Sequence, residues 1–330
     1  MLHRHRHMEI GFVYSETMTN PLRARDVLTE MRDWGADCVV SMVYEQDLIR
    51  WSKDMQRFYE IVADVGLRSY ISLGRYGVVF SGLLMVPSLF TYMHPETVIV
   101  REGEQSQAAG EADAIGSRFF QRISCVNHPL FRKYLEQQLG EILNRYQPQG
   151  LLFDEPKGLN LPCSCQYCRQ ARQADESPQE ANLRFQVEFL RDLCNEAKAH
   201  NGSLLTMMVV GHHAETLLRH FAAVDSLDML GVEAYWVSRG KDLTWLREWC
   251  PTTVAKLAAF GKKTQVWANN WGMPRHQQEN LLEAYRLMVD AGPDQLMSFW
   301  WWRNSDDPLR VMELTKAGIQ YAVAKKKESM

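Results

Sequence analysis

The stretch GLLFDEPKGLNLPCSCQYCRQ occupies residues 150–170. Its opening, GLLFDE, is a short apolar run closed by Asp154 and Glu155, with Pro156 directly behind. A run of this length, apolar at every position, suits a strand buried on both faces. Proline has no amide hydrogen to give a ladder, so the strand stops there. Seven further runs have the same form: MEIGFVYSE (8–16), ADCVVSMVYE (36–45), LRSYISLGR (67–75), SLLTMMVVG (203–211), LDMLGVEAYW (227–236), TQVWANNW (264–271) and DQLMSFWWWR (294–303). Between the runs lie segments of helical spacing, at 21–34, 54–65, 129–146, 177–200, 213–224, 243–260, 277–289 and 308–324. Several of these end on glycine, as at Trp34-Gly35 and Val65-Gly66, the residue best able to close a helix in the left-handed conformation. Eight strand–helix units predict an α/β fold, the (β/α)8 TIM barrel. The alternative is a doubly wound sheet. It would carry a glycine-rich phosphate turn after its first strand, and GFVYSETMTN (11–20) is not one.

There is neither an internal repeat nor a linker, so one domain over residues 1–330 is expected. Its main irregularity is a long connection after the third strand, at about 76–128. Loops of this length are commonly lids or binding loops. This one is expected to hang over the C-terminal mouth of the barrel, where barrel enzymes keep their sites. Its second half, REGEQSQAAGEADAIG (101–116), is polar and expected to be mobile. Its first half, YGVVFSGLLMVPSLFTYM (76–93), approaches the length of a membrane span. Gly77, Ser81, Gly82, Pro87 and Ser88 interrupt it, so no span is expected. A mobile apolar flap or a homo-oligomer contact are the readings left for it.

Apolar residues make up 46% of the 330 and charged residues 23%, enough for a large core. The net charge of -3 gives no basis for nucleic-acid binding. Residues 1–7 are polar and no signal-peptide core follows them. The seven cysteines are odd in number and three are clustered. That pattern suits thiolates in a reducing, cytoplasmic setting better than a disulfide framework.

If the barrel forms, the strand ends select the candidates. They are Tyr14 and Glu16; Tyr44, Glu45 and Asp47; Arg75; Asp154 and Glu155; His212 and His213; Glu233, Tyr235 and Trp236; Trp267, Asn269, Asn270 and Trp271; and Trp300, Trp301, Trp302 and Arg303. Carboxylates walled by indoles suit glycosidic chemistry, in which one carboxylic acid protonates the leaving oxygen and a second carboxylate attacks or activates water. Indole faces stack on the apolar faces of sugars. Glu155 is the first choice for the acid. Adjacent strand residues point to opposite faces, so Asp154 and Glu155 converge only if the strand end twists. Each candidate also has a bland reading. Glu16, Glu45 and Arg75 could brace the barrel top, the tryptophans could be packing, and His212-His213 could cap a helix.

Cys163, Cys165 and Cys168 form a C-x-C-x2-C unit. Three thiolates at this spacing can wrap one tetrahedral ion, with a fourth ligand supplied from elsewhere. Cys125, in RISCVNHPLFRKY (122–134), is the leading candidate for it. Four sulfurs leave no open position, so a zinc there is structural, and no organic cofactor is expected.

The order Cys125, acidic strand end, Cys163, Cys165, Cys168 resembles the barrel domain of family 42 glycoside hydrolases, the beta-galactosidase type. The resemblance covers strands three and four and the loop between them. It implies that Glu155 is the acid/base and that the four cysteines bind zinc. Two positions depart from the family. Its Asn before the acid/base is Asp154 here. Its nucleophile, a Glu at the end of strand seven, has no counterpart in WANNW (267–271). Another carboxylate is therefore needed, with Glu233 favoured over Glu16 and Glu45. The remaining candidates, Arg75, Tyr235, Trp236, Asn269, Asn270, Trp271, Trp300, Trp302 and Arg303, are expected to bind the saccharide, with Arg75 offering a bidentate site for an acidic sugar. The competing functions are a sugar-acting lyase or transferase and a noncatalytic carbohydrate-binding barrel.

Overall fold

The computed structural model describes residues 8–14, 21–82, 86–101, 122–300, 302 and 304–328. Eight strands form a closed barrel in chain order: β1 (Glu9–Tyr14), β2 (Cys38–Tyr44), β3 (Arg68–Gly74), β4 (Gly150–Asp154), β5 (Leu205–Val210), β6 (Met229–Ala234), β7 (Lys263–Ala268) and β8 (Gln295–Phe299). Every neighbouring pair is parallel, and β8 returns to β1 with Glu9 beside Gln295. The strands are buried along nearly their whole length because helices cover the outside and side chains fill the inside.

The helices are α1 (Pro21–Trp34), α2 (Glu45–Arg50), α3 (Ser52–Val65), α4 (Leu89–Met93), α5 (Pro129–Tyr146), α6 (Gln166–Ala171), α7 (Pro178–His200), α8 (Leu218–Ala222), α9 (Leu243–Ala259), α10 (Arg275–Gln278), α11 (Leu281–Asp290) and α12 (Pro308–Glu328). Local chemistry sets their ends. Ser177 caps α7, accepting from the Glu180 amide while the Glu180 carboxylate returns the bond. Gly66 closes α3 at φ 83°, which glycine takes without a Cβ clash. Two expected helices are broken by tertiary contacts. Residues 213–224 become a 3-10 turn (His212–Leu217) followed by α8, with Glu215 held by Arg239 at 2.8 Å and by the Trp249 indole at 3.2 Å. Residues 277–289 divide into α10 and α11, where Gln278 donates to the Met273 carbonyl.

Inside the barrel, alternate residues of each strand share one face. Leu152, Met207, Val209, Met229, Trp267, Met297 and Phe299 form this inner core. Its floor is polar. Trp267 Nε1 donates to Gln265 (2.7 Å), Gln265 donates to Gln295, and Gln295 donates to Glu9 (2.6 Å). Glu9 also accepts from Tyr70 (2.8 Å) and pairs with Arg68 (2.6 Å). These bonds satisfy polar groups that would be costly to bury alone.

The long connection between β3 and β4 is present as expected, but its start is packed rather than a free flap. Tyr76, Val78, Val79 and Phe80 are buried. Phe80 lies 5.3 Å from the Phe153 ring, and the Ser81 amide donates to the Asp154 carbonyl at 2.7 Å. The expectation for residues 101–116 falls, from residue 102 onward, outside the described residues. No helix among the described residues is long and apolar enough to cross a membrane.

Candidate active site

Strand periodicity places the first two groups. Asp154 lies two residues beyond Leu152 and Glu233 four beyond Met229, so both carry the inner-core face up to the C-terminal mouth. Glu155 follows β4 and would point away if the strand continued. Its φ of 35° lies in the left-handed region and turns it back. A non-glycine residue there costs about 1–2 kcal/mol, so the surroundings must hold it. The Glu155 amide donates to the Val209 carbonyl at 3.0 Å. Its carboxylate sits over Gly211, where a Cβ would fall 2.1 Å from Oε1. The result is a cluster: Asp154, Glu155 and Glu233 each present a carboxylate oxygen, all within 4.8 Å of one another.

The three differ in environment. Lys157 Nζ is 2.5 Å from Glu155 Oε2. Asp154 and Glu233 are 7% and 6% exposed, and among the described residues no hydrogen bond reaches either carboxylate. Burial, then the Glu155 charge, pushes Asp154 up to about 7 against a weaker pull from Lys157. Burial, with Glu155 and Asp154 adding, holds Glu233 well above the usual carboxylate range. Two like charges 4.8 Å apart repel by about 3.5 kcal/mol at an effective dielectric near 20, so the three cannot all ionise cheaply. Tyr235 stands beside them, its phenol pushed up by burial and then by the charges of Glu233, Asp154 and Glu155. The Trp271 ring meets Tyr235 edge-on at 5.9 Å, over Phe299 of the inner core.

Several of the other strand-end candidates make hydrogen bonds within the protein. The Glu45 carboxylate accepts from Ser88 Oγ (2.7 Å), Tyr134 Oη (2.9 Å) and the amides of Leu89 and Phe90. Arg75 is 3% exposed and its Nε donates to the Val86 carbonyl at 2.6 Å. Asn269 donates to the Trp271 carbonyl, and Asn270 bonds the Phe299 backbone from both ends of its amide. Trp236 is wholly buried in the outer core. Trp300 and Trp302 pack on Trp34 of α1, and Trp300 also on Phe12, because the residue after inward-facing Phe299 must point outward. Glu16 and Arg303 lie outside the described residues. Lys157 and Gly211 were not singled out in the sequence. The signal for Lys157 is its place two residues after Glu155, across a proline that bends the chain back.

No protein-family model matches the chain, and no curated protein matches it in sequence. Solved structures do match. A beta-galactosidase from the haloarchaeon Halorubrum lacusprofundi superposes with a TM-score of 0.68 at 13% identity, over 96% of this chain and 58% of that one. One from Marinomonas ef1 gives 0.67 at 12%, over 98% and 61%. An endo-1,4-beta-mannanase from Rhizomucor miehei gives 0.64 at 11%, over 98% and 95%. The chain shares its fold with glycoside hydrolases. At such identities the likeness is one of fold alone. It extends to galactosidases and mannanases alike, so the likeness to family 42 is not singled out. The chain spans about three fifths of the length of those two galactosidases.

On this barrel, a second group of donors lies apart from the carboxylates. The sulfurs of Cys125, Cys163, Cys165 and Cys168 are all within 4.8 Å of one another. Cys125 is 3.3 Å from Cys168 and 3.7 Å from Cys165. Bonds of about 2.3 Å in a tetrahedral zinc site put sulfurs about 3.8 Å apart, so the spacing fits. The amides of Val100 and Cys165 and the Asn127 side chain approach these sulfurs at 3.4–3.5 Å. Such donors favour thiolates. The four residues could hold a metal ion and tie the end of the long connection to the segment after β4.

Proposed function

We propose that this protein hydrolyses glycosidic bonds, with Glu155 and Glu233 as the reacting pair. The observation that carries this reading is the convergence of Asp154, Glu155 and Glu233 within 4.8 Å at the barrel mouth. Retaining glycosidases hold two carboxyls about 5–5.5 Å apart, whereas inverting ones leave about 6.5–9.5 Å for a water. The spacing therefore favours retention. Glu233 from β6 takes the place of the carboxylate missing from strand seven. Tyr235 and Trp271 supply an aromatic wall for the sugar. A structural zinc on Cys125, Cys163, Cys165 and Cys168 belongs to the same reading, supported by the sulfur spacing.

Glu155→Gln and Glu233→Gln are each expected to lower kcat on aryl glycosides by about 10³-fold, with an unchanged circular dichroism spectrum. Full activity in either variant would refute the pair. Abolition of turnover by a chelator that leaves the cysteine-bound metal in place would instead make the acidic cluster a cation site.

A further inference from the structure

We propose that Lys157 divides the work between the two carboxylates, holding Glu155 as the charged nucleophile and leaving Glu233 as the proton donor. This inference rests on the glycosidase reading and reverses the roles that the family resemblance implies.

The geometry is specific to Glu155. Lys157 Nζ touches Oε2 at 2.5 Å, and the Lys157 backbone is itself fixed by the hydrogen bond its amide donates to the Val79 carbonyl at 3.0 Å. Gly211 leaves the space that Oε1 occupies. Glu233 has no such partner among the described residues. Arg239, whose charge lowers Glu233 more than that of Lys157 does, pairs its Nη1 with Glu215 at 2.8 Å and lies against the rings of Trp245 and Trp249; its Nε and Nη2 are buried without a hydrogen-bond partner, and it makes no ion pair with Glu233. The groups acting on Glu233 are thus Asp154 and Glu155 from the end of β4, Lys157 from the loop behind it, and Arg239 from the loop after β6. The ion pair sets one positive charge against Glu155, and among the described residues neither Asp154 nor Glu233 makes such a pair. Burial pushes Asp154 and Glu233 up, in keeping with that difference.

The chemistry follows with atoms conserved. A Glu155 oxygen bonds to the anomeric carbon as the glycosidic C–O bond breaks, and the leaving oxygen takes the Glu233 proton. The glycosyl ester then yields to water. Glu233, now a carboxylate, takes a water proton as the water oxygen attacks the same carbon and Glu155 departs as an anion. One of the pair is charged at every stage, so Lys157 always faces a single negative charge.

Two measurements test this. The first needs no substrate: carbon NMR of protein labelled at the glutamate carboxyls, with signals assigned from Glu155→Gln and Glu233→Gln. As pH rises Glu155 should ionise before Glu233, and Lys157→Met should narrow the interval between the two while Lys157→Arg restores it. The reverse order, or an interval indifferent to Lys157→Met, overturns the inference. The second uses azide with dinitrophenyl glycosides. Glu155→Ala should give a glycosyl azide of inverted configuration and Glu233→Ala one of retained configuration; exchanged products overturn it. Lys157→Met should lower kcat/KM about 30-fold and move the acidic limb of the pH profile upward. If the NMR order holds but no glycoside is turned over, the charge division stands and the glycosidase reading fails.

Discussion

Glu155 shows how one backbone angle decides a site. An extended residue there would turn its side chain away from Asp154, but φ of 35° brings all three carboxylates together. Gly211 is the counterpart just after β5, since its missing side chain is the space that Glu155 Oε1 fills. Gly211→Ala should therefore displace the carboxylate, which is the free end of a flexible side chain, without disturbing the backbone. The expected outcome is a loss of turnover of about tenfold or more, with a change in urea-unfolding free energy below about 1 kcal/mol. Unfolding of the variant, or full activity, would contradict this placement. Neither the angle nor the use of Gly211 could be read from GLLFDE, because strand alternation says only that neighbours diverge.

At the scale of elements, Glu45 joins α2 to the start of the long connection. It gathers four donors, from Ser88, Leu89, Phe90 and Tyr134 of α5. Glu45→Ala strands those donors, and the expected cost is about 3 kcal/mol, measured by urea unfolding and accompanied by faster proteolysis around 86–101. The cysteine clasp acts on the other end of the same connection. Protein purified without added metal should contain about one zinc per chain, and Cys125→Ser should lose it and lower Tm by several degrees. Four freely titratable thiols in the folded protein would defeat the zinc assignment. The sequence located both features through residue type, but it left Glu45 open between a reacting carboxylate and a brace of the barrel top. A carboxylate at a strand end reads the same whether its partners are a sugar or four donors on a distant loop.

For the whole molecule, the acidic cluster sets a pH dependence. Asp154 rises from the ordinary 3.8 to about 7 on folding, so the folded state holds its proton more tightly than the unfolded chain. Its contribution to stability is present in full below about pH 4 and falls as pH rises to about 7. Asp154→Asn removes that loss. Its Tm should exceed the parent's by about 2 °C or more at pH 8, and the gap should narrow at pH 5. A gap independent of pH would show that Asp154 does not titrate across that window.

The sequence by itself determined the barrel. Eight apolar runs, each buried on both sides, have few ways to satisfy their edges, and parallel closure with helices outside is the one favoured by eight strand–helix units without a phosphate turn. It also put Asp154, Glu155 and Glu233 at strand ends, and it named Cys125 as the leading partner of the later cysteines through their kind and order. Tertiary structure alone decided which polar groups at the strand ends are free to react. Glu45, Arg75, Asn269 and Asn270 are consumed by backbone and side-chain partners brought from distant segments, whereas Glu155 keeps a single lysine beside it. The physical reason is that burial patterns repeat along the chain, while a hydrogen-bond partner is chosen only when the chain closes on itself.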